Sequence, residues 1–557
     1  MDLHRVAALL GLLALFGCGH TTNEALCADA KSVANACGYN PDYGYRFDPT
    51  RHADRDTLVV LTFSGGGTRA AALAYGTLQA LNDLRDRSGA SVLDQVDIIS
   101  SVSGGSVTAG WYALMGKAGL ASDADGSKDN KLVNFIYGDG MGAIAWRALN
   151  PVALTRYAVT SYQRSDVLAN FFADKLYGDN TYDAVKRKYE DDRNEPFVIL
   201  NATDLGHETR FPFTQNRFDL LCSDLSHLKL AYGVAASANF PIAFSPIGLK
   251  IYSLDCPAHR DETWARQGPP RWLEGYAQYE AHDPAGAGVP APRSDGLAAL
   301  RAARETQDYI KPGPDDTVLH LIDGGVVDNL GVQSTLALED EAECAPGLYQ
   351  RLKTPRPKAY EKIRRILYIV VNARSRSPAG IDNTVSPPDL ITSTQRVIDT
   401  PIDNTILGVQ NYLTAELQAI ATPPRDGGQP FVPDEHSPKS SCWTKFHYAS
   451  RQNLSERPQP PIEARIVTID FEEIPDKPCR DSYWQIGTSW TLGKDDVDDL
   501  IKLPRVILAR SSELHQFYGK SVALDAAKFP RDFASVCAAR DRSATGLSGV
   551  DGRRPAR

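Results

Sequence analysis

The sequence predicts an α/β fold with a mostly parallel central sheet, and three observations carry that prediction. Apolar, β-branched runs of strand length alternate with helix-length amphipathic segments. Two of these strands pass at once into a glycine-rich turn and then a helix. The connections between successive strands are long enough to be helical crossovers, which bring strands side by side in parallel.

Taken in order, Thr57–Phe63 is the first strand, residues 64–69 (S-G-G-G-T-R) the turn, and a helix runs on to about Leu84. Three glycines between a strand and a helix let successive backbone N–H groups converge on one point, an anion-binding nest. Residues 96–101 form a second buried strand, followed by Val102-Ser103-Gly104-Gly105 and a helix over 106–115. That is the context of a nucleophile elbow, in which a strained turn exposes a serine oxygen at a helix N-terminus. The elbow needs small residues two before and two after the nucleophile, and Ser101 and Gly105 supply them. Taken alone, the segment reads first as a plain strand-to-helix turn, and it is the further segments that reverse this.

Residues 131–190 read as amphipathic helices. Within them, 165–177 carries Asp166 as a candidate cap and Val167, Leu168, Phe171, Phe172 and Leu176 at helical spacing, either core or the wall of an acyl-chain site. A strand is expected over 318–322 that delivers Asp323-Gly324-Gly325 at its carboxyl end. Further strands are expected at Arg365–Asn372 and over 464–471, with helices over 390–420 and 494–518. His320 stands three residues before Asp323, so alternation puts it on the opposite face, where it is read as a packed core residue. Residues 257–316 break the pattern with Pro, Gly, charges and scattered aromatics. They read as an insertion, either a lid or a surface loop. Residues 123–129 look calcium-like, but the glycine stands at the fourth loop position rather than the sixth, which favours a solvated loop.

A net charge of −9 lacks the basic footprint that nucleic acid requires. The first 17 residues have the length and apolarity of a signal peptide, too short to span a bilayer. Leu15-Phe16-Gly17-Cys18 resembles a bacterial lipobox, making Cys18 the expected lipidation site; an ordinary secretory signal is the alternative. Gly19 lacks the Asp that favours inner-membrane retention, so the expectation is an outer-membrane lipoprotein anchored by acyl chains. Eight further cysteines permit disulfides in an oxidising compartment, with Cys27–Cys37 and Cys222–Cys256 as local candidates among 105 connectivities. The domain reading is a signal peptide over 1–17, a tether with a cystine loop over 18–54, one catalytic domain over 55–520 and a tail over 521–557.

The motifs S-G-G-G-x-R, S-x-S-G-G and D-G-G, in that order, resemble those of the patatin-like phospholipase family. The first two also look like their counterparts in cytosolic phospholipase A2. Residues 196–204 look like a core strand of the family and its exit, and 235–246 (A-A-S-A-N-F-P-I-A-F-S-P) are similar to a further family segment, so the likeness covers roughly residues 55–375. The resemblance implies a three-layer αβα sandwich and a serine acyl hydrolase of phospholipids or lysophospholipids. It implies Ser103 as nucleophile and Asp323 as base, a dyad without histidine. Gly65, Gly66 and Gly67 carry over as oxyanion-hole glycines and Arg69 as the cation beside them. Neither a metal nor a cofactor is needed. A Ser–His–Asp triad would call on His436, His447 or His515, none of which sits in a recognisable motif. Two other functions stay open: a catalytically silent lipid-binding envelope lipoprotein, and an acyltransferase using the same acyl-enzyme.

Overall fold

The computed structural model describes residues 20–26, 43–86, 89–120, 130–241, 243–253, 305, 308–309, 312–313, 316–338, 348, 352, 358–376, 390–421, 460–519 and 522–538. The expectations for Cys18, the 27–37 cystine loop, residues 123–129, nearly all of 257–316, His436 and His447 lie outside the described residues.

Eight strands form one sheet: β1 (Thr57–Phe63), β2 (Val96–Val102), β3 (Phe197–Asp204), β4 (Thr209–Pro212), β5 (Ile247–Lys250), β6 (Val318–Asp323), β7 (Arg365–Asn372) and β8 (Glu463–Asp470). Their order is β8-β7-β1-β2-β3-β6-β5, with β4 alongside β3. The run β8-β7-β1-β2-β3 is parallel throughout. β1 and β7 are buried at every position after the first, as expected of parallel strands covered by helices on both faces. Where β2 pairs with β1, the register slips between Val59 and Val60. There the buried Asp97 carboxylate accepts the Val59 N–H at 2.7 Å and Arg55 Nη1 at 2.8 Å, so the bulge leaves no buried donor unmet.

The strand that delivers Asp323 departs from the parallel pattern. β6 runs antiparallel to both β3 and β5. Its alternation is as expected, with Leu319, Leu321 and Asp323 on one face, but the other face is open at its start: Val318 and His320 are exposed. His320 is therefore a surface residue and not part of the core.

Alternation along β2 separates the helical layers. Ser101 Oγ bonds to Ser106 Oγ (3.0 Å) in α2 (Gly104–Met115), which packs against α1 (Gly67–Asp83). The neighbouring Ser100 points the other way and donates to the Gly331 carbonyl at 2.6 Å, just before the helical turn Val332–Leu336. The first layer continues through three helices over 140–172, namely α3 (Gly140–Leu149), α4 (Pro151–Val159) and α5 (Arg164–Phe172), and through α6 (Leu230–Ser237). The second contains α7 (Leu390–Ala421), which packs on Gly325–Asp328 and on β8. The sandwich is thus three layers deep.

The final amphipathic stretch is two helices, α8 (Lys494–Arg510) against α1, and α9 (Ser512–Tyr518). Ser511 ends the first and caps the second by accepting the Leu514 N–H at 3.2 Å, a break that the continuous apolar spacing conceals. Asp166 lies at the third position of α5 and accepts the Gln163 N–H at 2.7 Å, reaching back to the cap. Both chain ends described lie on the body. Glu24–Ala25 pairs antiparallel with Ser223–Asp224, and Val522–Ala523 with Arg85–Asp86. Cys479 is bonded to Cys537, closing the C-terminal segment onto the helix Lys477–Trp484, and Cys222 is disulfide-bonded as well.

Candidate active site

Ser103 stands between β2 and α2 with φ 50° and ψ −121°. Only two other non-glycine residues among those described have positive φ, so this serine holds a conformation that L-residues avoid. What over-determines it is a set of small hydroxyls beneath the turn. The Ser103 N–H donates to Ser237 Oγ (2.9 Å), and Ser237 Oγ contacts Ser106 Oγ (2.8 Å) and donates to the Asn201 carbonyl (2.6 Å). Ser237 comes from the end of α6, inside the 235–246 segment, yet nothing in its spelling marks it as the brace of the elbow.

The Ser103 hydroxyl donates to Asp323 Oδ2 at 2.8 Å. The other carboxylate oxygen, Oδ1, accepts the Gly325 N–H at 2.8 Å, and the Asp323 N–H is held by the Asn239 carbonyl at 3.0 Å. Both side chains are buried, 7% exposed for Ser103 and 6% for Asp323. Burial pushes the Asp323 carboxyl up from its ordinary 3.8 to about 6, against the opposing pull of the Gly325 N–H and the Ser103 hydroxyl. A carboxylate with its pKa near neutrality is a better proton acceptor than an ordinary aspartate while still ionised at pH 7.

The first glycine turn lies against the elbow, backbone on backbone. A methyl group on Gly104 would stand 2.0 Å from the Gly67 carbonyl oxygen and 2.8 Å from its nitrogen, and one on Gly65 would stand 3.1 Å from Ser103 Cβ. Two helix N-termini, those of α1 and α2, therefore meet beside the serine oxygen. The three candidate glycines do not share one role. Gly65 donates its N–H to the Asn329 carbonyl at 3.1 Å and is spent on holding the turn. Gly66 (φ 136°) and Gly67 (φ 58°) have conformations a side chain would strain, and among the described residues their N–H groups meet no acceptor. The Gly104 N–H is likewise uncommitted, a donor that reading the first turn alone does not reveal.

Arg69 has a bracing role that its motif does not reveal. Its guanidinium is buried and is taken up by acceptors of other segments. Nε donates to the Ala373 carbonyl at 2.6 Å, Nη1 to the Ile486 carbonyl, and Nη2 to Thr488 Oγ1 at 3.1 Å. The Thr68 N–H donates to the Ser489 carbonyl at 2.8 Å. Arg69 thus clasps the 486–489 loop and the end of β7 to the glycine turn. A fork of donors closing on two carbonyls suits guanidinium geometry. His515 is distant in its bonding as well, with Nε2 on the Ala509 carbonyl at 3.1 Å. Among the described residues no three His, Cys, Asp or Glu side chains gather to hold a metal ion, and no helix is long and apolar enough to cross a membrane.

Three solved structures of human GIVD cytosolic phospholipase A2 are similar to the chain. The first has a TM-score of 0.38 at 14% identity, covering 85% of this chain, which spans 64% of that one. A second, in complex with methyl γ-linolenyl fluorophosphonate and terbium chloride, has a TM-score of 0.32 at 13% identity, covering 84% of this chain and 60% of that one. A third, with the fluorophosphonate, has a TM-score of 0.29 at 13% identity and the same coverage. No curated protein sequence matches the chain. The model of the family described as patatin-like phospholipase matches residues 61–336, from within β1 to the helical turn that follows β6. With the glycine turn, the elbow and the Asp323 strand inside that span, the chain carries a patatin-like phospholipase domain.

Proposed function

We propose that this protein is a serine acyl hydrolase that cleaves acyl esters of phospholipids or lysophospholipids through Ser103 and Asp323. The family match supports a lipid acyl hydrolase at the family level. The observation that carries the finer reading is the 2.8 Å hydrogen bond from the strained Ser103 hydroxyl to a buried aspartate, beside two helix N-termini.

In this reading Asp323 takes the hydroxyl proton as Ser103 Oγ attacks the ester carbonyl. The oxyanion forms at the N–H groups of Gly66, Gly67 and Gly104. Collapse of the tetrahedral intermediate breaks the ester C–O bond, and Asp323 returns its proton to the leaving alcohol. Water then enters, Asp323 accepts its proton, and the fatty acid leaves Ser103 as the mirror of the first half-reaction. The upward shift of Asp323 gives the pH dependence a direction: kcat/KM falls as the pH drops through about 6, where the base becomes protonated.

An active-site-directed fluorophosphonate tests the reading. It should label the purified protein and fail on Ser103→Ala; labelling of Ser103→Ala, or none of the parent, contradicts it. Lipidation at Cys18 in an outer membrane belongs to the same proposal and rests on the lipobox alone. With Cys18→Ser, an alkaline carbonate wash should strip the protein from the membrane fraction, and retention equal to the parent's would remove the anchor.

A further inference from the structure

The helices α3 and α4 present an outer face that no described element covers. Trp146 is 72% exposed, Val152 68%, Leu149 54% and Met141 48%, with Gly142, Ala145 and Pro151 exposed among them. From Gly140 to Ser165 there is no acidic residue and no lysine; the only charges are Arg147, Arg156 and Arg164, in a chain whose net charge is −9. Arg147 is paired with the exposed Asp174 at 2.7 Å, and Arg156 lies over the Tyr162 ring at 5.2 Å. An apolar helix face carrying Trp and edged by arginine is suited to the headgroup region of an anionic bilayer.

Two connections give this face its place. At one end, the Gly140 N–H bonds to the Trp490 carbonyl (3.0 Å) and the Met141 N–H to Thr491 Oγ1 (3.0 Å). These belong to the loop whose Ile486, Thr488 and Ser489 are tied to Arg69 and Thr68 of the glycine turn. At the other end, His20 Nδ1 contacts the Ser161 carbonyl at 3.0 Å, just past the end of α4, and His20 Nε2 lies 3.3 Å from Asp166. His20, two positions after Cys18 in the sequence, thus lies beside the uncovered helices.

We infer that the outer face of α3 and α4, beside His20, is the surface on which this protein docks onto an anionic phospholipid bilayer. This rests on the lipid-hydrolase reading for its purpose, though not for its measurement. The test uses the full chain carrying Cys18→Ser, so that no acyl anchor contributes. Co-sedimentation with vesicles of equimolar phosphatidylglycerol and phosphatidylcholine is compared with that of the same chain bearing Trp146→Ser, Leu149→Ser and Val152→Ser. The triple variant should lose vesicle binding by about tenfold or more, and hydrolysis of vesicle lipid with it. Its turnover of p-nitrophenyl butyrate, a soluble ester, should stay within about twofold, since none of the three residues touches the dyad. Equal vesicle binding by parent and variant overturns the proposal. It does so if the variant instead dissociates from dimer to monomer, which assigns the face to a second copy, or melts at a lower temperature, which assigns it to another segment of this chain. If the parent binds vesicles through this face yet hydrolyses neither substrate, the surface stands and the hydrolase reading fails.

Discussion

The two strand-to-helix turns that meet at the site resolve the same geometric demand in opposite ways. In the turn after β1, positive φ falls on Gly66 and Gly67, where no side chain opposes it. In the turn after β2, it falls on Ser103, with glycine at the next two positions, where the backbones must touch. The difference follows from what each turn supplies. The first offers backbone N–H groups and needs no side chain, so glycine adopts the conformation freely. The second must offer a hydroxyl, so strain is retained at that residue and held by Ser237, Ser106 and the backbone of Asn201.

That contrast can be broken at several points. The largest stability effect is expected at Asp323. A carboxyl raised from 3.8 to about 6 destabilises the fold once ionised, by roughly 3 kcal/mol at full effect. The cost is absent below pH 3.8, grows as the pH rises and is complete above about 6, because between those two values the unfolded chain binds fewer protons than the native one. Asp323→Asn should therefore melt higher than the parent at pH 8 and no higher at pH 3.5; equal melting at both would show that the carboxylate is not held at a cost. Next comes Gly104→Ala. Its methyl has no room against the Gly67 carbonyl, so the turns must separate, and a loss of about 1–3 kcal/mol with a fall in turnover is expected in thermal melts and ester assays.

Much of this was legible in the sequence because it is local. The strand, the small residues and the helix that make the elbow are contiguous, and the Asp323 strand ends on its own D-G-G. What was hidden depends on distant partners. Arg69 reads as a cation beside an oxyanion hole until its guanidinium is seen closing on Ala373, Ile486 and Thr488, some three to four hundred residues away. Gly65 looks like its two neighbours until the Asn329 carbonyl claims its N–H. The antiparallel course of β6 could not be read either, since the long segment before it leaves strand direction open. Nor could the Cys479–Cys537 bond, one choice among many pairings.

The finest probe of the contrast compares two substitutions that both remove the hydroxyl. Ser103→Gly relieves the positive φ and Ser103→Ala does not, so the glycine variant should be the more stable by about 1 kcal/mol in chemical denaturation. At Gly67 the same preference for glycine should appear, with Gly67→Ala less stable than the parent. A Ser103→Ala variant as stable as Ser103→Gly would mean that the elbow stores no strain.

The central claim, that Asp323 and no histidine activates Ser103, is tested most directly by ester hydrolysis measured side by side in Asp323→Asn, His436→Ala, His447→Ala and His515→Ala. The account predicts that Asp323→Asn, folded and melting no lower than the parent, loses turnover by about a hundredfold to ten-thousandfold, while the three histidine variants keep most of theirs. Near-normal turnover in Asp323→Asn together with a dead histidine variant would contradict it and put a triad in place of the dyad.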